Sequence, residues 1–404
     1  MKYRLKKVAV LGSGVMGSGI ACHLANIGLE VLMLDIIPRD LEGDKLKDPI
    51  LRNSIVNSAL QNSIRSKPAP LYHKSFASRI STGNFEDDFE KISDADWIIE
   101  VVVERLDIKQ QIFEKVDNHR KNNSLVTSNT SSIPMHLLSR GRSDNFKTHF
   151  CGTHFFNPPR YLRLLEVIPT SDTLKSVINF FMEFGKVNLG KETVLCKDTP
   201  AFIGNRIGVM SATEMTILTK KNSFTVEEVD LLTGSIIGRP PTATFRLQDL
   251  VGLDTGDNVS RFVMDNVEND TYINKIKKLP EPKFMRFLLD NKFLGNKSGK
   301  GFYEKTKKKD ANGKTIINVL NLETLEYKPA VKPRMEIVKT AKGIELLDKR
   351  LQFLVDGDSK EHQFFKDYFG ALFAYSAARV PEISDQYFPL DDAMRTGYVW
   401  EYGP

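Results

Sequence analysis

Apolar and polar positions fall into two textures along this chain. As far as about residue 195, short apolar runs punctuate longer mixed segments, and Val8–Leu11, Val31–Asp35, Trp97–Val103 and Leu125–Ser128 read as buried strands. Between them, Ser18–Gly28, residues 45–66 and Ile108–Lys121 read as helices. Strands that are apolar throughout, rather than at every second residue, are those covered on both faces. Their alternation with helix-length segments predicts an α/β fold: a doubly wound, mainly parallel sheet with crossover helices.

From about residue 196 the strand signals fade. Phe202–Lys221, Val226–Leu232 and Lys283–Asn291 read as helices, and Lys297–Tyr303 as a closing turn. The expected organisation is an α/β domain over 1–195 with a helical arm at about 40–70, an all-helical domain over 196–303, a linker over 304–335 and an incomplete second helical domain over 336–404. Pro329 and Pro333 mark the linker, and Lys305–Lys309 reads as a solvated turn. A faint echo of Val229–Gly234 recurs at Leu390–Gly397, so the chain stops within the second copy.

A length of 404 residues suits two to four domains. With 41% hydrophobic and 27% charged residues the chain is of ordinary globular composition, far from the signature of disorder. Its 57 basic and 51 acidic residues leave +6, which suits an anionic small molecule but provides no clustered basic face for nucleic acid. Cys22, Cys151 and Cys196 show neither CxxC pairing nor metal-ligand spacing, so no disulfide framework and no metal site is expected, and a reducing cytoplasm fits. No signal peptide and no membrane span is expected.

Gly12-Ser-Gly14-Val-Met-Gly17 follows the first strand and opens the first helix. In that context Gly12 makes the tight turn, Gly14 lets the backbone approach a pyrophosphate and Gly17 lets helix and strand pack closely. Asp35 ends the second strand, where a carboxylate can bond an adenosine ribose and repel a 2′-phosphate. The expected fold is therefore Rossmann-like and the expected cofactor NAD rather than NADP.

Of seven histidines, His154 stands apart, at the end of an expected strand and just before Asn157-Pro-Pro159. Glu166 lies in the otherwise apolar run Leu164–Ile168, and a lone buried carboxylate needs a partner. One reading has Glu166 orienting His154 as a general base. The other is a surface strand edge.

The glycine turn, Glu100–Glu104, Ser128–Ser132, His154–Pro158, Asp198–Arg206 and Gly295–Tyr303 together resemble the L-3-hydroxyacyl-CoA dehydrogenase family over about residues 6–303. The resemblance implies NAD-dependent oxidation of a (3S)-3-hydroxyacyl-CoA to the 3-oxoacyl-CoA in fatty-acid β-oxidation. It assigns His154 as base, Glu166 as its partner, and Ser131 and Asn205 as residues that hydrogen-bond the reacting oxygen. Asn157 would hold the catalytic loop. The cofactor positions are Gly12, Gly14, Met16, Gly17, Asp35, Glu104, Lys109, Ser131 and Lys297; Ser58 and Arg65 on the arm are the candidates for CoA. Gly238-Arg-Pro-Pro241 replaces the family's usual turn and the segment 36–95 is long, both similar to bifunctional members in which an enoyl-CoA hydratase domain follows. A longer native chain and a homodimer are expected. The alternatives are a dehydrogenase of another β-hydroxy acid, or a non-catalytic NAD-binding half of a multifunctional complex.

Overall fold

The computed structural model describes residues 3–404. The chain forms two compact units. One runs to Ile203 and takes in Glu382–Gly397, and the other comprises Gly204–Pro381 and Tyr398–Pro404.

The first unit begins with β1 (Lys7–Leu11), α1 (Val15–Asn26) and β2 (Glu30–Asp35), followed by α2 (Ser54–Arg65) and β3 (Ile80–Asn84). Next come β4 (Trp97–Glu100), α3 (Leu106–His119), β5 (Leu125–Ser128), β6 (Phe150–Phe155), β7 (Leu164–Pro169), α4 (Lys175–Val187) and β8 (Glu192–Leu195). The eight strands form one sheet in the order β3-β2-β1-β4-β5-β6-β7-β8. The pairings are parallel except for β6 with β7. The order turns back between β1 and β4, the switch point at which doubly wound sheets bind ligands.

Apolar packing fixes the layers. Ile20, Ala21, Leu24 and Ala25 of α1 join Val8, Val10 and Trp97 in one core, where the Trp97 ring lies 5.1 Å from Phe181 of α4. In a second aromatic group, Phe113 of α3 packs against Phe146 at 5.6 Å and Phe150 at 5.2 Å.

Two strands differ from expectation. β4 stops at Glu100 instead of reaching Val103, because the Glu100 carboxylate accepts the Val102 N–H at 2.7 Å and draws the backbone out of the ladder. β3 carries no sequence signal: it is an edge strand of composition Ile-Ser-Thr-Gly-Asn, with no apolar run to reveal it. Within 40–70 the chain is helical chiefly over Ser54–Arg65, and Arg52 anchors this segment with a forked bond to Asp87, 2.7 Å at each nitrogen.

The second unit is built on helices, among them α5 (Gly204–Lys221), α6 (Leu253–Asn266) and α7 (Lys360–Ala378). Arg206 of α5, fully buried, bonds Asp270 at 2.8 Å and the Tyr375 hydroxyl of α7 at 2.8 Å, which ties the two helices together. The expected linker is instead largely a three-stranded antiparallel sheet, β9 (Tyr303–Lys309), β10 (Thr315–Leu320) and β11 (Tyr327–Pro329). Lys305–Lys309 is thus strand rather than turn. Its lysines point outward on an edge strand, where they hide the pattern, while Thr-Ile-Ile-Asn-Val-Leu of β10 is the β-branched run that betrays it. Nor does 336–404 form a single domain. Its last helix, α8 (Phe388–Gly397), belongs to the first unit, where Gly397 closes against Leu164 of β7.

Candidate active site

The turn after β1 is shaped for a phosphate. Gly12 has φ +110°, and a Cβ there would stand 2.6 Å from the Val101 carbonyl oxygen. A Cβ on Gly17 would come within 1.9 Å of the Gly12 oxygen, so both positions require glycine to close the turn. At Gly14 nothing lies within 4 Å of an added Cβ: its hydrogen faces open space. Gly14 is also the N-cap of α1, with no side chain capping the helix and no acidic residue in the first turn that holds Met16. The helix therefore presents uncapped N–H groups and its positive dipole end to an anion.

Asp35 closes the far side. Its carboxylate accepts the Ser13 N–H at 2.6 Å, the Ser13 hydroxyl at 2.5 Å and the Ile36 N–H at 2.7 Å. A cleft of about 640 Å³ opens here, lined by Ser13, Gly14, Asp35, Ile36, Arg39 and Ser58 among others. The uncapped helix, the bare Gly14 and the carboxylate beyond it fit the pyrophosphate and ribose of a dinucleotide. Ser58, read from sequence as a CoA contact, lines this same cleft, whereas Arg65 is exposed at the last turn of α2.

Glu104 and Lys109 form one network with Glu100. The Lys109 ammonium, 1% exposed, lies 2.7 Å from Glu100, 3.3 Å from Glu104 and 3.2 Å from the Val102 carbonyl. Glu104 Oε1 in turn accepts the Thr130 hydroxyl (2.5 Å), the Ser131 N–H (2.9 Å) and the Ser132 hydroxyl (2.9 Å). Burial opposes ionisation of Glu104, yet Lys109 and these donors hold its carboxyl below the usual range. Burial likewise opposes the Lys109 charge, but the two glutamates hold it above the usual lysine range. The network fixes the loop carrying Ser131. Glu100 was the missing partner here, and its sequence signal was a single carboxylate in an apolar strand.

His154 and Glu166 are cross-strand neighbours, paired in register where β6 meets β7. Such pairs share one face of the sheet. Glu166 Oε2 lies 2.6 Å from His154 Nδ1, with His154 4% exposed and Glu166 0%. Glu166 Oε1 accepts the Ile203 N–H at 3.2 Å. β7 is flanked by β6 and β8, so the strand-edge reading falls. A carboxylate oxygen at Nδ1 suits the tautomer that carries its proton there, which in a neutral ring leaves the lone pair on Nε2. The imidazole ring packs at 4.6 Å from Phe156 and 5.9 Å from Phe202.

The loop after His154 is held from below. Lys191, nearly buried, donates to the carbonyls of Pro159 and Leu162 (2.6 Å to the latter), and burial lowers its pKa to about 8. Asn157 is exposed at the head of this loop, joined to Pro158 by a cis bond. In the second unit, Asn205 is the second residue of α5 and Lys297 pairs with Asp254 at the start of α6.

The first unit thus joins a doubly wound sheet, a glycine turn at its switch point and a buried His–Glu pair near a strand end. Residues 7–199 match the 3-hydroxyacyl-CoA dehydrogenase NAD binding domain, and residues 202–305 match the C-terminal domain of the same family. The chain belongs to the 3-hydroxyacyl-CoA dehydrogenase family, and residues 7–199 of its first unit are the family's NAD-binding domain. A Bacillus subtilis protein named 3-hydroxyacyl-CoA dehydrogenase is 44% identical, matching 100% of this chain and 51% of its own length. A Rickettsia felis protein named as a fatty acid oxidation complex trifunctional enzyme is 36% identical over 100% of this chain and 53% of its own. The chain thus spans about half the length of these two relatives. The crystal structure of 3-hydroxybutyryl-CoA dehydrogenase from Escherichia coli K12 has the same fold, with a TM-score of 0.66 at 21% identity over 99% of this chain and 90% of that one. Among the described residues no helix is long and apolar enough to cross a membrane.

Proposed function

We propose that this chain oxidises a (3S)-3-hydroxyacyl-CoA to the 3-oxoacyl-CoA, a step of fatty-acid β-oxidation. The observation that carries this reading is the buried His154–Glu166 pair in the NAD-binding unit. Bound NAD would supply the hydride acceptor for C3 of the substrate. His154 Nε2 takes the hydroxyl proton, and Glu166 stabilises the imidazolium that results; a preorganised carboxylate acts strongly where water is excluded. Ser131 and Asn205 donate hydrogen bonds to the reacting oxygen, and Asn157 steadies the loop after the base. Gly12, Gly14, Met16, Gly17 and Asp35 hold the pyrophosphate and adenosine ribose, with Glu104 and Lys297 at further cofactor contacts. Lys109 acts there through Glu104, since its ammonium is engaged by two carboxylates. The arm takes the CoA moiety, with Arg65 the exposed candidate contact, while Ser58 faces the cleft that holds the dinucleotide. The active form is a homodimer, and in the native protein an enoyl-CoA hydratase domain follows; the double length of both relatives supports the second point.

The test is to supply NADH with acetoacetyl-CoA and, separately, with free acetoacetate. Loss of NADH absorbance with the thioester alone is expected. Equal turnover of the free acid would assign a different β-hydroxy acid substrate, and binding of NADH with turnover of neither would leave a non-catalytic unit.

A further inference from the structure

The structure assigns a positioning role to Tyr398: its hydroxyl orients the amide of Asn205 so that the amide offers N–H, not oxygen, to the substrate. This inference rests on the proposed role of Asn205. Both residues belong to the second unit, which the chain re-enters at Tyr398 after α8. The Tyr398 hydroxyl donates to Asn205 Oδ1 at 3.1 Å. A primary amide presents one accepting and one donating end, and a bond that engages the oxygen leaves the Nδ2 donors directed elsewhere. A group meant to stabilise charge building on a reacting oxygen must present a donor; the flipped amide would repel it.

A second observation comes from the helix itself. Gly208 lies one turn beyond Asn205 on α5, on the same face. A Cβ on Gly208 would stand 2.1 Å from the Tyr398 hydroxyl oxygen and 2.5 Å from Cζ. The phenol is thus laid on the helix surface over Gly208, where only glycine leaves room, and its hydroxyl reaches Asn205. Placement is reinforced from the far side: Trp400 packs 3.9 Å under the guanidinium of Arg239, and the Glu401 N–H donates to the Gly238 carbonyl at 2.7 Å. The unusual Gly238-Arg239 turn therefore has a use, as the seat of the segment that delivers Tyr398. Neither family-matched region reaches that segment, which lies beyond residue 305.

The test compares Tyr398→Phe, Gly208→Ala, their double variant and Asn205→Ala in the 404-residue chain, by acetoacetyl-CoA-dependent NADH oxidation, NADH titration and thermal melting. Tyr398→Phe keeps the ring and removes one hydrogen bond, so kcat should fall about tenfold while KM, NADH affinity and melting temperature hold. Gly208→Ala displaces the phenol and should lose kcat similarly. The two changes should not add, because each removes the same bond. If Asn205→Ala cripples turnover while Tyr398→Phe matches the parent in kcat, the orienting role is overturned and Asn205 keeps its own. If Asn205→Ala turns over like the parent, the underlying assignment of Asn205 fails. A Tyr398→Phe protein that melts early with undiminished kcat makes Tyr398 a packing residue only and overturns the proposal.

Discussion

Glu166 stands directly across the ladder from His154, at the one antiparallel pairing of the eight-stranded sheet, with Oε2 2.6 Å from Nδ1. Twelve positions apart in sequence, the two residues meet because the chain turns back between β6 and β7. The ring is thereby fixed in tautomer as well as in position. Glu166→Gln keeps the shape but removes the charge that steadies the imidazolium, and kcat should fall roughly 10²-fold or more. NADH affinity, read by fluorescence titration, should be nearly unchanged. A parallel loss of NADH affinity would mean that the carboxylate serves the cofactor rather than the base.

The glycines of the turn divide by what surrounds them. Gly17→Ala drives a methyl into the Gly12 carbonyl, whereas Gly14→Ala meets nothing in the protein. The first should lower thermal stability and NADH affinity together. The second should melt close to the parent and weaken NADH binding by about tenfold or more, because in the proposed function the added methyl meets the pyrophosphate.

In the proposed function Asp35 takes the adenosine ribose, and its charge would govern the choice of dinucleotide. Arg39 lines the same cleft and would meet a 2′-phosphate once the carboxylate is gone. Asp35→Ser should raise the Michaelis constant for NADH by roughly tenfold and improve use of NADPH. Unchanged preference in a cofactor competition assay would remove Asp35 from the ribose site.

His23 sets part of the acid limit of stability. Burial chiefly, with the nearby charge of Lys191, lowers its pKa from 6.5 to about 4, and its ring bonds the Leu189 carbonyl at 3.1 Å. Between pH 6.5 and 4 the unfolded chain binds a proton that the folded chain refuses, so stability falls as pH drops through that window. The loss from this residue alone is about 3 kcal/mol. His23→Gln should flatten the decline of the urea midpoint across that range, and an identical decline would place the acid sensitivity elsewhere.

The alternation of apolar runs made the sheet legible because strands covered on both faces leave continuous apolar stretches, as at Val8–Leu11 and Trp97–Ile99. The His154–Glu166 partnership was legible for a related reason: a carboxylate within Leu164–Ile168 requires a partner. What sequence concealed were features set by long-range contacts. β3 has no apolar face of its own, and β9 wears lysines on an exposed edge. The link of Lys109 to Glu100 depends on where β4 ends, and that of Tyr398 to Asn205 spans 193 positions, beyond any local pattern.

The central claim is that an imidazole steadied by a carboxylate removes the substrate proton beside a bound nicotinamide. Parent protein and His154→Gln should be compared in acetoacetyl-CoA-dependent oxidation of NADH, with NADH affinity measured on the same samples. The account predicts turnover in the parent and its loss, by roughly 10³-fold or more, in a variant that binds NADH as tightly. A folded parent that turns over no acyl-CoA, or a His154→Gln variant that keeps pace with it, would contradict the account.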